Sequence, residues 1–281
     1  MNDVHITQIS NVVEFNEEIL RRVSHYSMGF VSIERSERHE DLRSAGSGTF
    51  VSIGEHYGIL TAAHVTAAIQ EHEEFGIVRL NRAGIRSRMQ IPIATVSIES
   101  IGPGSSGESG PDIAFVRLAP STVATIGAQS SFHSLDRYRE KAMAPLTNGQ
   151  LRTDAIAGVL DELTERRVDH ETREIRIVIE SRLEKGVAKQ IRQDDQFDYL
   201  SFDSLDGPGG PSSYAGTSGG PVWRTFTDVD ASGFATAREI VLLGVVYYQS
   251  AAKTDRSRTL ICHGPHSVHQ TLRERVLSRW S

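Results

Sequence analysis

Ile59-Leu60-Thr61-Ala62-Ala63-His64-Val65 and Gly110-Pro111-Asp112-Ile113-Ala114-Phe115-Val116-Arg117-Leu118 are the two stretches on which the fold turns. Each joins a short apolar run to one residue with chemistry. A histidine closes the first run, and an aspartate opens the second. Gly48-Thr49-Phe50-Val51 lies just ahead of the first, so a glycine-flanked run leads into the one that ends at His64. Runs this short, bounded by Gly, Ser, Asp and Pro, have strand length and lack helical spacing.

The same texture extends in both directions. Apolar runs occur at 30–33, 49–53, 58–60, 77–80, 91–98 and 113–118, and again at 155–160, 173–179, 199–202, 221–226, 240–248 and 259–262. That pattern predicts an all-β chain of sandwich or barrel type, with no βαβ units. Between Leu118 and Ala144 the character loosens, with Pro120, Ser121 and a charged stretch from Asp136 to Lys141, so a connection between two β units is expected there. Residues 12–26 carry Val12, Val13, Phe15, Ile19, Leu20 and Val23 at near-helical spacing, which predicts a leading helix. Val268, Leu272, Val276 and Trp280 recur every four residues, which predicts a closing amphipathic helix. The expected division is an N-terminal helical extension over 1–28, a first β unit over 29–135, and a second β unit with the closing helix over 136–281.

Bulk composition narrows the classes. Apolar residues make up 38% of the 281-residue chain, enough for a packed core, and the net charge is -6. No concentration of Lys and Arg points to nucleic acid or an anionic membrane. Cys262 is the single cysteine, so no intrachain disulfide can form. Met1 to Arg22 is acidic and polar, without the apolar centre of a signal peptide. The longest apolar run, 240–248, has nine residues and is too short to span a bilayer. A cytoplasmic protein is expected.

A third segment adds the chemistry: Tyr214-Ala215-Gly216-Thr217-Ser218-Gly219-Gly220-Pro221-Val222. It places a serine in a glycine-rich turn just ahead of a run. A serine hydroxyl is a weak nucleophile and needs a neighbouring base. Histidine serves because its pKa lies near neutrality, and a buried carboxylate fixes its tautomer and stabilises the imidazolium. An oxyanion needs aimed backbone N–H donors, here those of Gly216 and Ser218, and losing one costs about 2.7–4 kcal/mol of transition-state stabilisation.

In that order, Thr-Ala-Ala-His, Asp-Ile-Ala and Gly-x-Ser-Gly-Gly-Pro resemble the trypsin-like (chymotrypsin-fold) serine peptidases, most of all their bacterial, disulfide-poor branch. The resemblance spans roughly Gly29 to the C-terminus, though only the three motifs are close. It implies two six-stranded antiparallel β-barrels with the site in the cleft between them. It implies His64, Asp112 and Ser218 as a catalytic triad acting on peptide bonds through an acyl-enzyme, with a protein or peptide as substrate and no cofactor. Val65 stands where many relatives carry cysteine. Thr217 stands where many carry an Asp that pairs with a new N-terminus after zymogen cleavage. The oxyanion loop must then be held by other contacts or ordered by an activating partner.

The resemblance also implies a specificity pocket lined by Ser212 and Ser213, faced by the strand end Tyr247-Tyr248-Gln249. Its small, uncharged floor predicts a small or medium uncharged residue before the scissile bond. A second version has His263 reaching the pocket and favouring an acidic residue. The other reading of the chain is a trypsin-fold binding or scaffold protein with little turnover of its own. An esterase of the α/β-hydrolase class would need Gly-x-Ser-x-Gly and the order Ser, acid, His.

Other features are read as structural. Pro265 interrupts Cys262-His263-x-x-His266-x-x-His269, so no metal site is expected. Gly207-Pro208-Gly209-Gly210-Pro211 lacks the Gly-Lys-Ser/Thr of a phosphate loop and is expected beside the pocket. The charged run 34–43 is expected to be a solvated loop, and the pairs Asp161-Glu162 and Asp194-Asp195 solvated surface.

Overall fold

The structure is a computed structural model that describes residues 9–35, 40–80, 88–102, 107–145, 151–168, 175–179, 181–204, 211–251 and 258–281. Residues 207–210 of the Gly-Pro segment lie outside the described residues.

Helix α1 (Val12–Ser24) buries Phe15, Ile19 and Val23, four residues apart on one face. Seven strands then form one curled sheet: β1 (Ser27–Arg35), β2 (Glu40–Ile53), β3 (His56–Thr61), β4 (Glu74–Arg79), β5 (Arg88–Pro92), β6 (Ser97–Ile101) and β7 (Ile113–Arg117). Their spatial order is β5-β4-β1-β2-β3-β7-β6, every neighbour antiparallel, and the two-residue β8 (His133–Ser134) joins β2 in parallel. Helix α2 (Ala63–Gln70) follows β3, while α3 (Pro120–Gly127) and α4 (Leu135–Met143) follow β7 and β8.

The curl follows from connectivity. β5 and β6 are consecutive in the chain yet sit at opposite ends of the path. Only residues 93–96 join them, a span of about 18 Å at full extension. The sheet must therefore bend until its edges approach, which makes a half-barrel. The run 91–98, expected as one strand, is split by the short 3₁₀ turn Ile93–Thr95 directly after Pro92. Its two parts take opposite edges, so this unit has seven main strands where six were expected.

The second unit closes fully. Strands β9 (Leu151–Val159), β12 (Ser181–Gln193), β13 (Asp198–Ser204), β14 (Pro221–Val229), β15 (Ala235–Gln249) and β16 (Thr259–His263) form a ring in the order β12-β13-β16-β15-β14-β9. β10 (Glu165–Val168) and β11 (Ile175–Val178) pair only with each other. The run 173–179, expected in the barrel, thus supplies an outlying hairpin, and the ring takes the unforeseen β12 instead. The inward residues of β12 are Glu184, Gly186 and Ala188, which give no apolar alternation. Glu184 is buried against the Arg182 guanidinium at 2.7 Å. The architecture as a whole is a double β-barrel with a few helices.

One apolar core runs through both units. It joins Phe30, Phe50, Leu60 and Phe115 of the first sheet to Trp223, Leu242 and Tyr247 of the ring. A smaller cluster around Phe202, Val222 and Cys262 fills the ring itself. The closing helix begins with a π-turned stretch, Ser267–Leu272, and continues as α5 (Arg273–Arg279), burying Val268, Leu272 and Val276. The charged run 34–43 is the outer end of the β1–β2 hairpin, where Glu34 faces Asp41 and Arg35 faces Glu40 in register, and not a loop along its whole length. Among the described residues, no helix is long and apolar enough to cross a membrane.

Candidate active site

β3 carries buried Ile59, Leu60 and Thr61 up to the point where the chain turns. Ala62 is extended (φ -82°, ψ 149°), and α2 starts at Ala63, so His64 stands in its first turn. Asp112 immediately precedes β7 and is 1% exposed. Two hydrogen bonds join the pair. The His64 backbone N–H donates to Asp112 Oδ1 at 2.9 Å, and His64 Nδ1 lies 2.6 Å from Asp112 Oδ2. A carboxylate only accepts, so the ring proton belongs on Nδ1 and Nε2 is left with its lone pair.

Behind the acid lies a feature the sequence did not suggest. The Asp112 backbone N–H donates to His263 Nε2 at 2.9 Å. His263, at the end of β16, is fully buried among the rings of Phe197, Tyr199 and Tyr247. Burial pushes its pKa down to about 3, so the ring stays neutral and keeps Nε2 as an acceptor. The version in which His263 reaches the pocket is therefore corrected, because its ring is enclosed and its Nε2 is bonded beneath Asp112. The Tyr247 side chain is likewise buried, with Oη donating to the Glu108 carbonyl at 2.8 Å, and burial raises its pKa.

Ser218 lies in the loop between β13 and β14. Gly216 and Gly219 hold φ of +90° and +84°, the left-handed region that favours glycine. Space excludes other residues as well, since a Cβ on Gly219 would stand 2.0 Å from Thr61 Oγ1 and 2.1 Å from the Ser47 carbonyl oxygen. The loop is tied internally. Thr217 N–H and Oγ1 both donate to the Tyr214 carbonyl, at 3.1 and 2.6 Å, and Gly220 N–H donates to the Thr217 carbonyl at 2.7 Å. Thr217 is thus absorbed into the turn. Gly219 N–H reaches the Val246 carbonyl on β15 at 2.7 Å.

The same loop adjoins the His64 segment. A Cβ on Gly46 would meet both Val65 Cγ2 at 2.7 Å and the Ser218 carbonyl oxygen at 3.0 Å, and one on Gly219 would meet Ala62 N at 3.1 Å. The structure thus brings the flanks of His64 and Ser218 together. The Ser218 hydroxyl itself makes no hydrogen bond among the described residues. The Gly216 and Ser218 N–H groups donate to none of the described residues either.

Of the expected pocket residues, Ser212, Ser213 and Gln249 adjoin one another. Gln249 Oε1 accepts the Tyr214 N–H at 2.8 Å, and its Nε2 is 3.4 Å from Ser213 Oγ. Two charged neighbours went unforeseen. Glu162, in the turn after β9, accepts from Ser212 Oγ at 2.6 Å and from the Ser212 and Ser213 N–H groups at 3.2 Å. Arg258 donates to the carbonyls of Ser212 and Ser250 at 3.0 and 2.9 Å. Both Asp161 and Glu162 are exposed, as expected, but Glu162 also ties Ser212 and Ser213 together. Asp194 caps the turn between β12 and β13, and bonds from the Gln196 and Phe197 N–H groups hold its pKa low. His266 and His269 each face a backbone carbonyl, of Asp195 and Leu242.

No family model and no curated protein matches the sequence. Among solved structures, the Rv3671c protease from M. tuberculosis in its active form aligns over 94% of this chain and 86% of its own, at 12% identity and a TM-score of 0.45. Tobacco etch virus protease complexed with product aligns over 92% and 80%, at 12% identity and a TM-score of 0.38. A structure concerning the coupled folding and binding of the intrinsically disordered Sesbania mosaic virus VPg protein aligns over 87% and 89%, at 14% identity and a TM-score of 0.44. Likenesses this distant carry no argument about activity, and the double-barrel assignment rests on the strand pairing above.

Proposed function

We propose that the chain is a serine endopeptidase. His64 acts as general base and then general acid, Asp112 orients it, and Ser218 attacks the scissile carbonyl to form an acyl-enzyme. The N–H groups of Gly216 and Ser218 take the oxyanion. The observation that carries this reading is the doubly bonded His64–Asp112 pair beside a serine loop in which, among the described residues, neither the Gly216 nor the Ser218 N–H is spent.

The reading assigns His64 and Asp112 to the first β unit (29–135) and Ser218 to the second (136–281), with an extended peptide running past Gln249 toward the Ser212–Ser213 wall. The single buried Cys262 accords with the cytoplasmic setting we assign.

The test is labelling by a fluorophosphonate, which phosphonylates an activated serine with loss of fluoride. Labelling of the native chain that disappears in Ser218→Ala supports the reading, and none under any condition refutes it. One observation favours a second version in which a partner gates the site: the Ser218 hydroxyl makes no bond to His64 in this state, and nucleophile activation requires one. Labelling that appears only when cell extract is added would select that version.

A further inference from the structure

Ser47 sits on β2, in the sheet opposite the nucleophile loop, and is fully buried. All of its polar groups are engaged. Oγ donates to the Gly216 carbonyl at 2.7 Å and accepts the Val159 N–H at 2.9 Å. Its N–H donates to the Ser218 carbonyl at 2.7 Å, and its carbonyl accepts Thr61 Oγ1 at 2.8 Å.

The consequence follows from peptide geometry. A trans peptide is planar, so a fixed C=O points the next residue's N–H the opposite way. Every carbonyl from 215 to 218 is fixed. Ala215 accepts from Asp161 N–H at 2.9 Å, Thr217 from Gly220 N–H at 2.7 Å, and Gly216 and Ser218 both from Ser47. The first two ties turn the Gly216 and Ser218 N–H groups outward. The two from Ser47 lock the intervening and following peptides, so neither can flip without stranding a buried polar group, at a cost of about 1–3 kcal/mol.

We propose that the Ser47 hydroxyl is the positioning group that holds the oxyanion loop in its two-donor arrangement, replacing the charge pair that Thr217 cannot make. This rests on the serine-peptidase reading of the site. Alanine at 47 would deprive the half-buried Gly216 carbonyl and the buried Val159 N–H of the Ser47 hydroxyl. Larger residues meet tight packing, since a Cβ on Gly158 would already lie 3.2 Å from Ser47 Oγ.

The experiment compares Ser47→Ala and Ser47→Cys with wild type. Asn11→Ala serves as a control that loses two buried bonds to Ala235, well away from the loop. The first readout, native-state amide hydrogen exchange, needs no activity. The Thr217, Gly219 and Gly220 amides should exchange at least about tenfold faster in Ser47→Ala, in line with one lost buried bond, and should be unaltered in Asn11→Ala. The second readout is kinetic. With a peptide ester, kcat should fall about 10²-fold with KM within about twofold, and affinity for a peptide aldehyde should fall in parallel, as for one oxyanion donor lost. Ser47→Cys keeps the volume and a weaker donor, so it should show smaller effects of the same kind, which covers the case in which Ser47→Ala does not fold. Unchanged loop exchange in both variants overturns the proposal. So does faster exchange with unchanged kcat and aldehyde affinity. If wild type shows neither turnover nor Ser218-dependent labelling, the peptidase reading and the positioning role fall together, and the exchange data alone decide whether Ser47 clamps the loop.

Discussion

Replacing Asp112 with Asn changes one atom of the carboxyl group and inverts the proton logic of the pair. Asp112 Oδ1 accepts the His64 backbone N–H at 2.9 Å, a bond that requires an acceptor. An asparagine must therefore keep its carbonyl oxygen there and present its NH₂ to His64 Nδ1, 2.6 Å from the present Oδ2. Nδ1 then has to accept, the ring proton moves to Nε2, and under the proposed mechanism Nε2 can no longer take the Ser218 proton. The backbone bond is what denies the amide its other orientation. Loss of the base tautomer at an intact site costs about 10⁴ in kcat, or about 5.4 kcal/mol. The shape is unchanged, so the melting temperature should move little. The assay is kcat and KM with a peptide ester at neutral pH, together with the fluorophosphonate labelling rate and ¹⁵N resonances of the His64 ring. The expected result is an Nε2–H ring, kcat down about 10⁴-fold and KM near wild type. A variant within tenfold of wild-type kcat, or one that keeps the proton on Nδ1, would refute the tautomer argument.

Acid should destabilise the fold early. Burial holds His133 and His263 at pKa values of about 3, against 6.5 when unfolded, so below pH 6.5 the unfolded chain binds protons that the native chain refuses. Stability is full above pH 6.5 and falls by roughly 3 kcal/mol per pH unit from there toward pH 3. Urea midpoints that stay level from pH 6.5 to 4 would contradict this. Arg224→Leu leaves the Asp154 carboxylate, 1% exposed and now bonded by Arg224 Nε and Nη2 at 2.7 and 2.9 Å, with no guanidinium and with the Ala188 N–H donating to Oδ2 at 3.1 Å. It should lower the unfolding free energy by about 3–5 kcal/mol in chemical denaturation, and a loss under 1 kcal/mol would show that the pair is solvated. Glu162→Ala removes the acceptor shared by Ser212 and Ser213. It should raise KM for peptides by about tenfold, the loss of one charge-assisted bond, while kcat stays within twofold; equal falls in kcat and kcat/KM would place Glu162 in the transition state instead.

The all-β class was legible because strands that face one packed core alternate or run apolar, and twelve such runs are punctuated by turn residues. What escaped was placed by pairing and not by pattern. β12 turns Glu184, Gly186 and Ala188 inward, and no hydropathy scan marks a glutamate as a barrel residue when its partner is an arginine two positions earlier. Pro92 was visible, but that it divides one run between opposite edges of a sheet depends on which strands lie between them. At the site, His64, Asp112 and Ser218 stood out as residue types with known chemistry at the ends of runs. Ser47 lies in Gly46-Ser47-Gly48, just ahead of the run 49–53, where no apolar pattern marks it. His263 lies in a Cys-His-x-x-His segment for which no metal was expected, and one version of the resemblance sent its side chain to the pocket. Each owes its role to a neighbour more than a hundred positions away, Gly216 and Asp112 respectively.

Those two bonds cross between the units in opposite directions. The first unit carries Asp112, and a residue of the ring, His263, holds its backbone. The ring carries Ser218, and a residue of the first unit, Ser47, holds its loop. Neither half can position its own part of the site alone. A rigid shift of one unit against the other would strain both bonds at once, and since one is buried and the other partly buried, they resist by more than a surface contact would. The common apolar core from Phe30 to Trp223 opposes the same shift. A chain with one cysteine has no disulfide to fix the two units, and these crossed hydrogen bonds with the shared core supply that constraint. The arrangement also explains why Thr217 suffices ahead of the serine: with the loop's carbonyls already taken by Ser47, Asp161 and Gly220, no charge at 217 is needed to turn the donors outward.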